Sequence, residues 1–338
     1  MAQERCVVVG AGSISGAWFP PLLEEKLHIV GVVDKFIGSA QTAVEKWKLS
    51  CPASDDLEKT LRETKPDFVL NLTIPEAHHE VCATAMRNGA HVIVEKPLTA
   101  TMEEARDLLK ISQQTGQMLM VSQSRRFDAT HDLTHRVLES GQLGEITTLN
   151  CDFYMGCHFG GFRDEMTSPL ILDMAVHHFD LARFFSGLDA VAVYAHEFNP
   201  KGSWYKGDVA ATCIFEMNNG AVFTYRGSWC AEGMHTSWNG DWRFIGERGT
   251  VEMAKDLAPI GQVVKENHAD FNLPLKDVMI PAPRALFSAM HGGLREMLGF
   301  LREGTSPQTE AHDNIKSLAM VLAAIESSKT RQRVEIKI

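Results

Sequence analysis

Over about the first 120 residues, short apolar runs alternate with helical ones. "RCVVVGAG", "LHIVGVVD", "DFVLNLTI", "HVIVEKP" and "QMLMVSQS" read as strands, apolar at successive positions. "SGAWFPPLLEE", "SAQTAVEKWKL", "EAHHEVCATAMRNG" and "TMEEARDLLKISQQTG" read as the helices between them. A strand that is apolar on both faces must be covered on both faces, so this repetition predicts a parallel sheet between two helix layers. Gly89 is placed to end one helix, and Thr101 to cap the next with acids in its first turn. Pro20 and Pro21 predict a kink or break in the first helix.

After about residue 125 the pattern changes. One further helix, "ATHDLTHRVLESGQLG", precedes a series of longer strands: "ITTLNCDFYMG", "AVAVYAHEF", "DVAATCIFEM", "GAVFTYRGSW", "DWRFIGE" and "GTVEMAK". Turn signals such as "NNG" and "ERG" separate them and predict a mostly antiparallel sheet. A strong helix, "PLILDMAVHHFDLARFFSG", interrupts the series, and helices are expected near 284–303 and 309–328. The expected fold is α/β. A doubly wound parallel sheet over residues 1–125 is followed by an α/β domain with a large, mostly antiparallel open sheet over 126–338.

A chain of 338 residues exceeds one typical core. Its net charge of −10 argues against a nucleic-acid or anionic-membrane partner. No apolar run reaches the roughly 20 residues that span a bilayer. "MAQERCVVVG" lacks a signal-peptide layout, which points to the cytoplasm. The seven cysteines are scattered without a CxxC pair, so they are expected to be reduced and structural, and no metal site is expected.

The first strand ends in "VVVGAGSISG". Gly10 permits a tight turn, and Gly12 lets backbone approach a pyrophosphate. The following helix opens with Ser13 and Ile14, and its N-terminus favours negative charge. Ser15 stands where a third glycine would be expected. Asp34 ends the second strand, about the right distance on to bind a ribose. This context marks a dinucleotide site, with NAD favoured because a carboxylate repels a 2′-phosphate. Lys35 weakens that preference, so NADP stays open.

"HVIVEKP" runs from a buried strand into Glu95, Lys96 and Pro97. Charges at such a place are costly unless something uses them. Ligands of doubly wound sheets sit at the carboxyl ends of strands, so Lys96 is placed to face one. In "LDMAVHHFD", Asp173 and His177 are four apart and share a helix face, with Asp180 three further on. That stripe taken alone reads first as a buried polar network, then as a site lining or, less simply, a metal ligand set.

Together these pieces resemble the Gfo/Idh/MocA oxidoreductase family, on "GAGSIS", "NLTIPEAHHE", "VEKPLT" and "LDMAVHHFD". The resemblance covers essentially the whole chain. It implies an N-terminal Rossmann domain and hydride transfer between a nicotinamide cofactor and a hydroxyl-bearing carbon of a sugar or cyclitol. It makes His177 the general base, Lys96 the group that holds the reacting oxygen, and Asp173 the partner of the imidazole or of a neighbouring hydroxyl. Thr73, Pro75, His78 and Glu95 are expected to border the cofactor. Substrate candidates are Arg126, Tyr154, Arg163, His178 and Trp242. Trp204, Trp229 and Trp238 are further rings able to stack on a sugar.

The same scaffold admits an NAD-dependent glycosidase working by transient oxidation and elimination, or a non-catalytic dinucleotide sensor. A homodimer or homotetramer is expected, because the open sheet would otherwise expose positions such as Val222, Phe223 and Ile245.

Overall fold

The structure is a computed structural model that describes residues 3–265, 271–284 and 287–338. The chain forms two compact units: Met1–Ser124 with Phe287–Leu318, and Arg125–Leu286 with Ala319–Ile338.

The first unit follows the expected alternation. Its elements are β1 (Arg5–Val9), α1 (Ser15–Glu24), β2 (His28–Val33), α2 (Ile37–Lys46), β3 (Ala53–Ser54), α3 (Leu57–Thr64), β4 (Phe68–Asn71), α4 (Pro75–Arg87), β5 (His91–Glu95), α5 (Met102–Thr115) and β6 (Leu119–Ser122). The strands are parallel in the order β3-β2-β1-β4-β5-β6. The order reverses between β1 and β4, which is where such sheets bind ligands. The middle strands are buried almost throughout, as their uninterrupted apolar runs require. The two-residue β3 had no apolar run to announce it. Thr101 caps α5 in a reciprocal capping box with Glu104, and Gly116 ends it in the left-handed region.

Helix α1 runs unbroken through Pro20 and Pro21. Their missing N–H groups face the carbonyls of Gly16 and Ala17, small residues one turn earlier. Buried Trp18, Phe19 and Leu22 hold the helix by packing instead.

The second unit contains α6 (Ala129–Glu139), β7 (Ile146–Tyr154), α7 (Phe162–Glu165), a π-helical turn (Leu170–Ala175) and α8 (Val176–Ser186). Strands β8 (Ala190–Phe198), β9 (Ala210–Met217), β10 (Val222–Ser228), β11 (Asp241–Gly246), β12 (Gly249–Met253), β13 (Ile260–Val264), β14 (Leu275–Asp277) and β15 (Val334–Glu335) complete it. Among the described residues the strands have the order β14-β13-β12-β11-β7-β10-β9-β8-β15. The β7–β10 pairing is parallel and the others are antiparallel. One face packs on α8: the Phe179 ring lies 4.8 Å from Phe215 and 6.2 Å from Phe223. The other face carries Val191, Tyr194, Phe198, Ile214 and Val222 outward. Phe223 is not on that face, because adjacent strand residues point to opposite sides and Val222 takes the outer one.

Helix α9 (Ala289–Glu303) belongs to the first unit, whereas α10 (Ala311–Thr330) runs from the first unit into the second at Leu318. Residues 285 and 286 of the expected 284–303 helix lie outside the described residues. Before α10 the chain returns to β6, where Val121 donates to the Thr309 carbonyl at 2.9 Å. His291 of α9 meets Glu25 at 2.7 Å. No signal in the strand and helix pattern announces this return to the first unit. No helix among the described residues is long and apolar enough to cross a membrane.

Candidate active site

Gly10 has φ +95, and a Cβ there would lie 2.7 Å from the Leu72 carbonyl carbon and 2.9 Å from Thr73 N. Only glycine fits between β1 and β4 at this point. A Cβ on Gly12 would meet nothing within 4 Å, so its backbone borders open space. Asp34 binds this turn itself: Oδ2 accepts from Ala11 N and Oδ1 from Phe36 N, both at 2.8 Å. A carboxylate offers about four lone-pair sites, so acceptor capacity remains for ribose hydroxyls. A cleft of about 1070 Å³ is lined by Gly10, Gly12, Asp34, Lys35, Thr73 and Ile74, among others. Gly12, Ser13 and Ser15 also line a second cavity of about 530 Å³. Partly exposed Ile14 precedes α1, whose first turn carries no acid to oppose an anion. The buried Ser15 hydroxyl donates to Gly12 O at 2.7 Å, filling the third-glycine position by packing. These residues fit a dinucleotide.

Pro75 opens α4, and Thr73 donates through Oγ1 to Asn71 at 2.7 Å. His78 departs from its expected place beside the cofactor. It is fully buried, with Nδ1 2.8 Å from Pro97 O and Nε2 3.1 Å from Thr73 O. It therefore ties the turn after β4 to the turn after β5. Burial holds its pKa below the ordinary value, so the ring is neutral and has one N–H to give.

Glu95 is also turned inward. It is buried, accepts from Trp18 Nε1 at 2.7 Å, and receives the Lys96 backbone N–H at 3.2 Å. Burial raises its pKa against the opposing effects of Trp18, Lys96 and Ser122. The carboxylate at the strand end thus anchors α1 to β5 behind the turn rather than lining the cleft. No local signal could link Trp18 to a residue 77 positions away. Lys96 is half-buried, directly after β5, and the Lys96–Pro97 peptide is cis.

In the second unit, Asp173 lies in the π-helical turn and His177 in the first turn of α8, both half-buried. Single π turns inside helices are frequent at functional sites. Asp173 Oδ2 accepts from Arg163 Nε at 2.6 Å, and that guanidinium lies 5.0 Å from the Phe159 ring and 4.7 Å from Phe162. The sequence had placed Arg163 against a substrate; here it meets the Asp173 carboxylate. Asp180 is committed to Arg126, which donates from Nε and Nη2 at 2.7 and 2.6 Å in a buried fork. Arg126 is thereby removed from the substrate candidates, since a buried pair of this kind is costly to open.

His178 and Trp242 are core residues. His178 is fully buried, its ring 4.7 Å from Phe153 and 5.5 Å from Tyr225, and burial holds its pKa well down. It follows His177 on the helix and so points about 100° away. Trp242 stacks between Phe223 and Phe244 and donates to Asn239 O at 2.8 Å. Trp229 is buried as well, whereas Trp238 stays 42% exposed. Tyr154 ends β7 half-buried, its backbone N–H on Thr236 Oγ1 at 3.0 Å.

Comparison with known proteins decides the family. Residues 4–123 match the oxidoreductase family with an NAD-binding Rossmann fold, and residues 131–252 match the Gfo/Idh/MocA C-terminal domain. The chain belongs to the Gfo/Idh/MocA oxidoreductase family. It is 25% identical to an uncharacterized protein of Sinorhizobium fredii, over 97% of this chain and 94% of that one. It is 28% identical to the scyllo-inositol 2-dehydrogenase (NAD(+)) of Bacillus subtilis, over 65% of this chain and 66% of the relative. An inositol 2-dehydrogenase of Arthrobacter is 31% identical over 56% of each chain. Among solved structures, an oxidoreductase from Agrobacterium radiobacter, solved with NAD+, L-tartaric acid and magnesium, superposes with a TM-score of 0.86. That alignment covers 99% of both chains at 20% identity, so it speaks to the fold of this Gfo/Idh/MocA member. The first unit is accordingly this family's NAD-binding Rossmann domain, and the protein is an oxidoreductase.

Proposed function

We propose that this protein oxidises a hydroxyl-bearing carbon of a sugar, cyclitol or related polyol, or runs the reverse reduction, with NAD as coenzyme. The observation that carries the reading is the position of Lys96. It leaves the carboxyl end of β5, two strands from the Gly10–Gly12 turn, at the edge where doubly wound sheets bind dinucleotides.

Bound NAD supplies the hydride acceptor; the chain's own groups handle the oxygen and its proton. His177 removes the hydroxyl proton as hydride leaves, work that contributes about 10²–10⁴-fold. Lys96 holds the same oxygen and stabilises its developing negative charge. Asp173, held by Arg163, orients the imidazole or binds a neighbouring hydroxyl. Asp55, Asp56 and Glu58 line the same cleft as Asp34 and add to its repulsion of a 2′-phosphate, with Lys35 opposing them. NAD is therefore preferred over NADP. The inositol dehydrogenases among the relatives support a polyol substrate, and the outward apolar positions on the open sheet support a homo-oligomer.

The test is reduction of NAD+ and NADP+ against inositols, aldoses and glucosides. Lys96→Ala and His177→Ala are expected to lower kcat by about 10²-fold or more while the His177 variant still binds NAD+. Unchanged turnover in His177→Ala would remove it from the mechanism, and failure to bind either coenzyme would end the oxidoreductase reading.

A further inference from the structure

Arg125 stands apart from its neighbouring arginines. Arg126, Arg163 and Arg183 each meet a carboxylate: Asp180, Asp173 and Asp189. Arg125 Nη1 donates to the Trp238 carbonyl, and Nη2 lies 3.7 Å from Met174 Sδ. Both are neutral acceptors. No carboxylate among the described residues lies within 4.0 Å of its guanidinium.

The two acids that act on it from further away are engaged elsewhere. Asp128 caps α6, accepting from Thr130 N at 2.8 Å and His131 N at 3.3 Å. Asp256 accepts from Ser237 Oγ and Asn239 Nδ2, both at 2.8 Å. The other groups that bear on Arg125 are held neutral by burial: the Tyr225 hydroxyl, the Cys151 thiol, the His131 ring, and the His178 ring, whose Nε2 lies 3.3 Å from the same Trp238 carbonyl. Burial pulls the Arg125 pKa down to about 10, still far above neutrality. The charge is present with Asp128 and Asp256 acting only from a distance and no carboxylate in contact, a costly arrangement that a ligand anion would relieve.

Its position says which ligand. Met174 immediately follows Asp173 in the π turn that leads to His177. Trp238, whose carbonyl takes the other arm of the guanidinium, keeps an exposed indole of the kind that packs on a sugar ring. A guanidinium left with unused N–H donors is shaped for a two-oxygen anion.

We propose that Arg125 reads an anionic group, carboxylate or phosphate, on the polyol that this enzyme oxidises, so that the preferred substrate is an acidic sugar rather than a neutral one. The inference rests on the oxidoreductase reading above, and the experiment separates the two. With NAD+ saturating, D-glucuronate, D-gluconate and D-glucose 6-phosphate are compared with D-glucose and myo-inositol, by cofactor reduction and by titration calorimetry. Wild type, Arg125→Gln and Arg125→Lys are used. Gln, two atoms shorter than the guanidinium arm, loses the charge and the donor to the Trp238 carbonyl; Lys keeps the charge.

For at least one acidic sugar, KM and Kd are expected to lie about tenfold or more below those of its neutral counterpart. Arg125→Gln is expected to raise them by about the same factor with kcat within about threefold, leave neutral sugars unchanged, and be partly rescued by Lys. The acid that responds, uronate, aldonate or sugar phosphate, identifies the group. Equal KM and Kd for acidic and neutral sugars, or acidic-sugar values indifferent to Arg125→Gln, would overturn the proposal. If no sugar is oxidised, calorimetry still decides it: charge-dependent binding of an acidic sugar upholds Arg125 while the oxidoreductase reading fails, and no binding of any acidic sugar overturns it.

Discussion

His78 shows how one side chain can set the aim of another. Its ring spans the Pro97 and Thr73 carbonyls, and the shorter 2.8 Å contact at Nδ1 assigns the single N–H to Pro97. That bond holds the residue after Lys96. Asparagine places its amide nitrogen near the Nδ1 position and glutamine near Nε2, so the two substitutions separate the two contacts. His78→Asn is expected to keep kcat within about threefold, and His78→Gln and His78→Leu to lose about tenfold or more, because small misplacements of a reacting group are expensive. NAD+ affinity should hold in all three. Equal losses in Asn and Gln would reduce His78 to a packing residue. The sequence placed His78 beside the turn after β4 but could not show its partner, which is 19 residues away. Arg126, His178 and Trp242 failed as substrate candidates for a related reason. Residue type marks what a side chain can bind, whereas facing decides whether it does.

At the scale of the element, strand β8 is instructive. Its later residues alternate outward and inward, with Tyr194, His196 and Phe198 exposed and Ala195 and Glu197 buried. Period-two geometry thus forces a carboxyl inward and a phenyl outward. Burial pushes the Glu197 pKa up to about 7, with Ser168 Oγ donating to it at 3.2 Å. In the unfolded chain a glutamate ionises near about 4.3. The folded state therefore holds an extra proton between these values, and the stability it contributes is full at low pH and lost as pH rises toward about 7. Glu197→Gln removes the titration. Urea unfolding should show the variant gaining on wild type between about pH 5 and about pH 8, by up to roughly 3 kcal/mol. The same difference at both pH values would count against it. Asp173 and His177 show the limit of periodicity: spacing predicted one regular helix, and the chain forms a π turn followed by an α-helix.

At the scale of the molecule, the second unit's sheet leaves one face open. Tyr194, Ile214, Val222 and other apolar residues stand on it among ion pairs such as Asp152–Arg226 and Glu216–Arg333. A face of mixed apolar and paired polar groups suits burial against a second copy. Light scattering at micromolar concentration is expected to give a dimer or tetramer, and Ile214→Asp to shift it toward monomer. A wild-type monomer would contradict this.

What the sequence determined by itself was local. Apolar runs between glycine turns dictate a parallel sheet covered on both faces, and Gly10, Gly12 and Asp34 stand at their ends because backbone sterics and strand period place them there. The "VEKPLT" and "LDMAVHHFD" segments carried the family. Only the tertiary structure decided which charges are already matched. Glu95 meets Trp18, Asp180 meets Arg126, Asp173 meets Arg163, and Arg125 meets no acid among the described residues. Electrostatic pairing depends on distance through space, and chain spacing does not encode distances between residues brought together from separate elements.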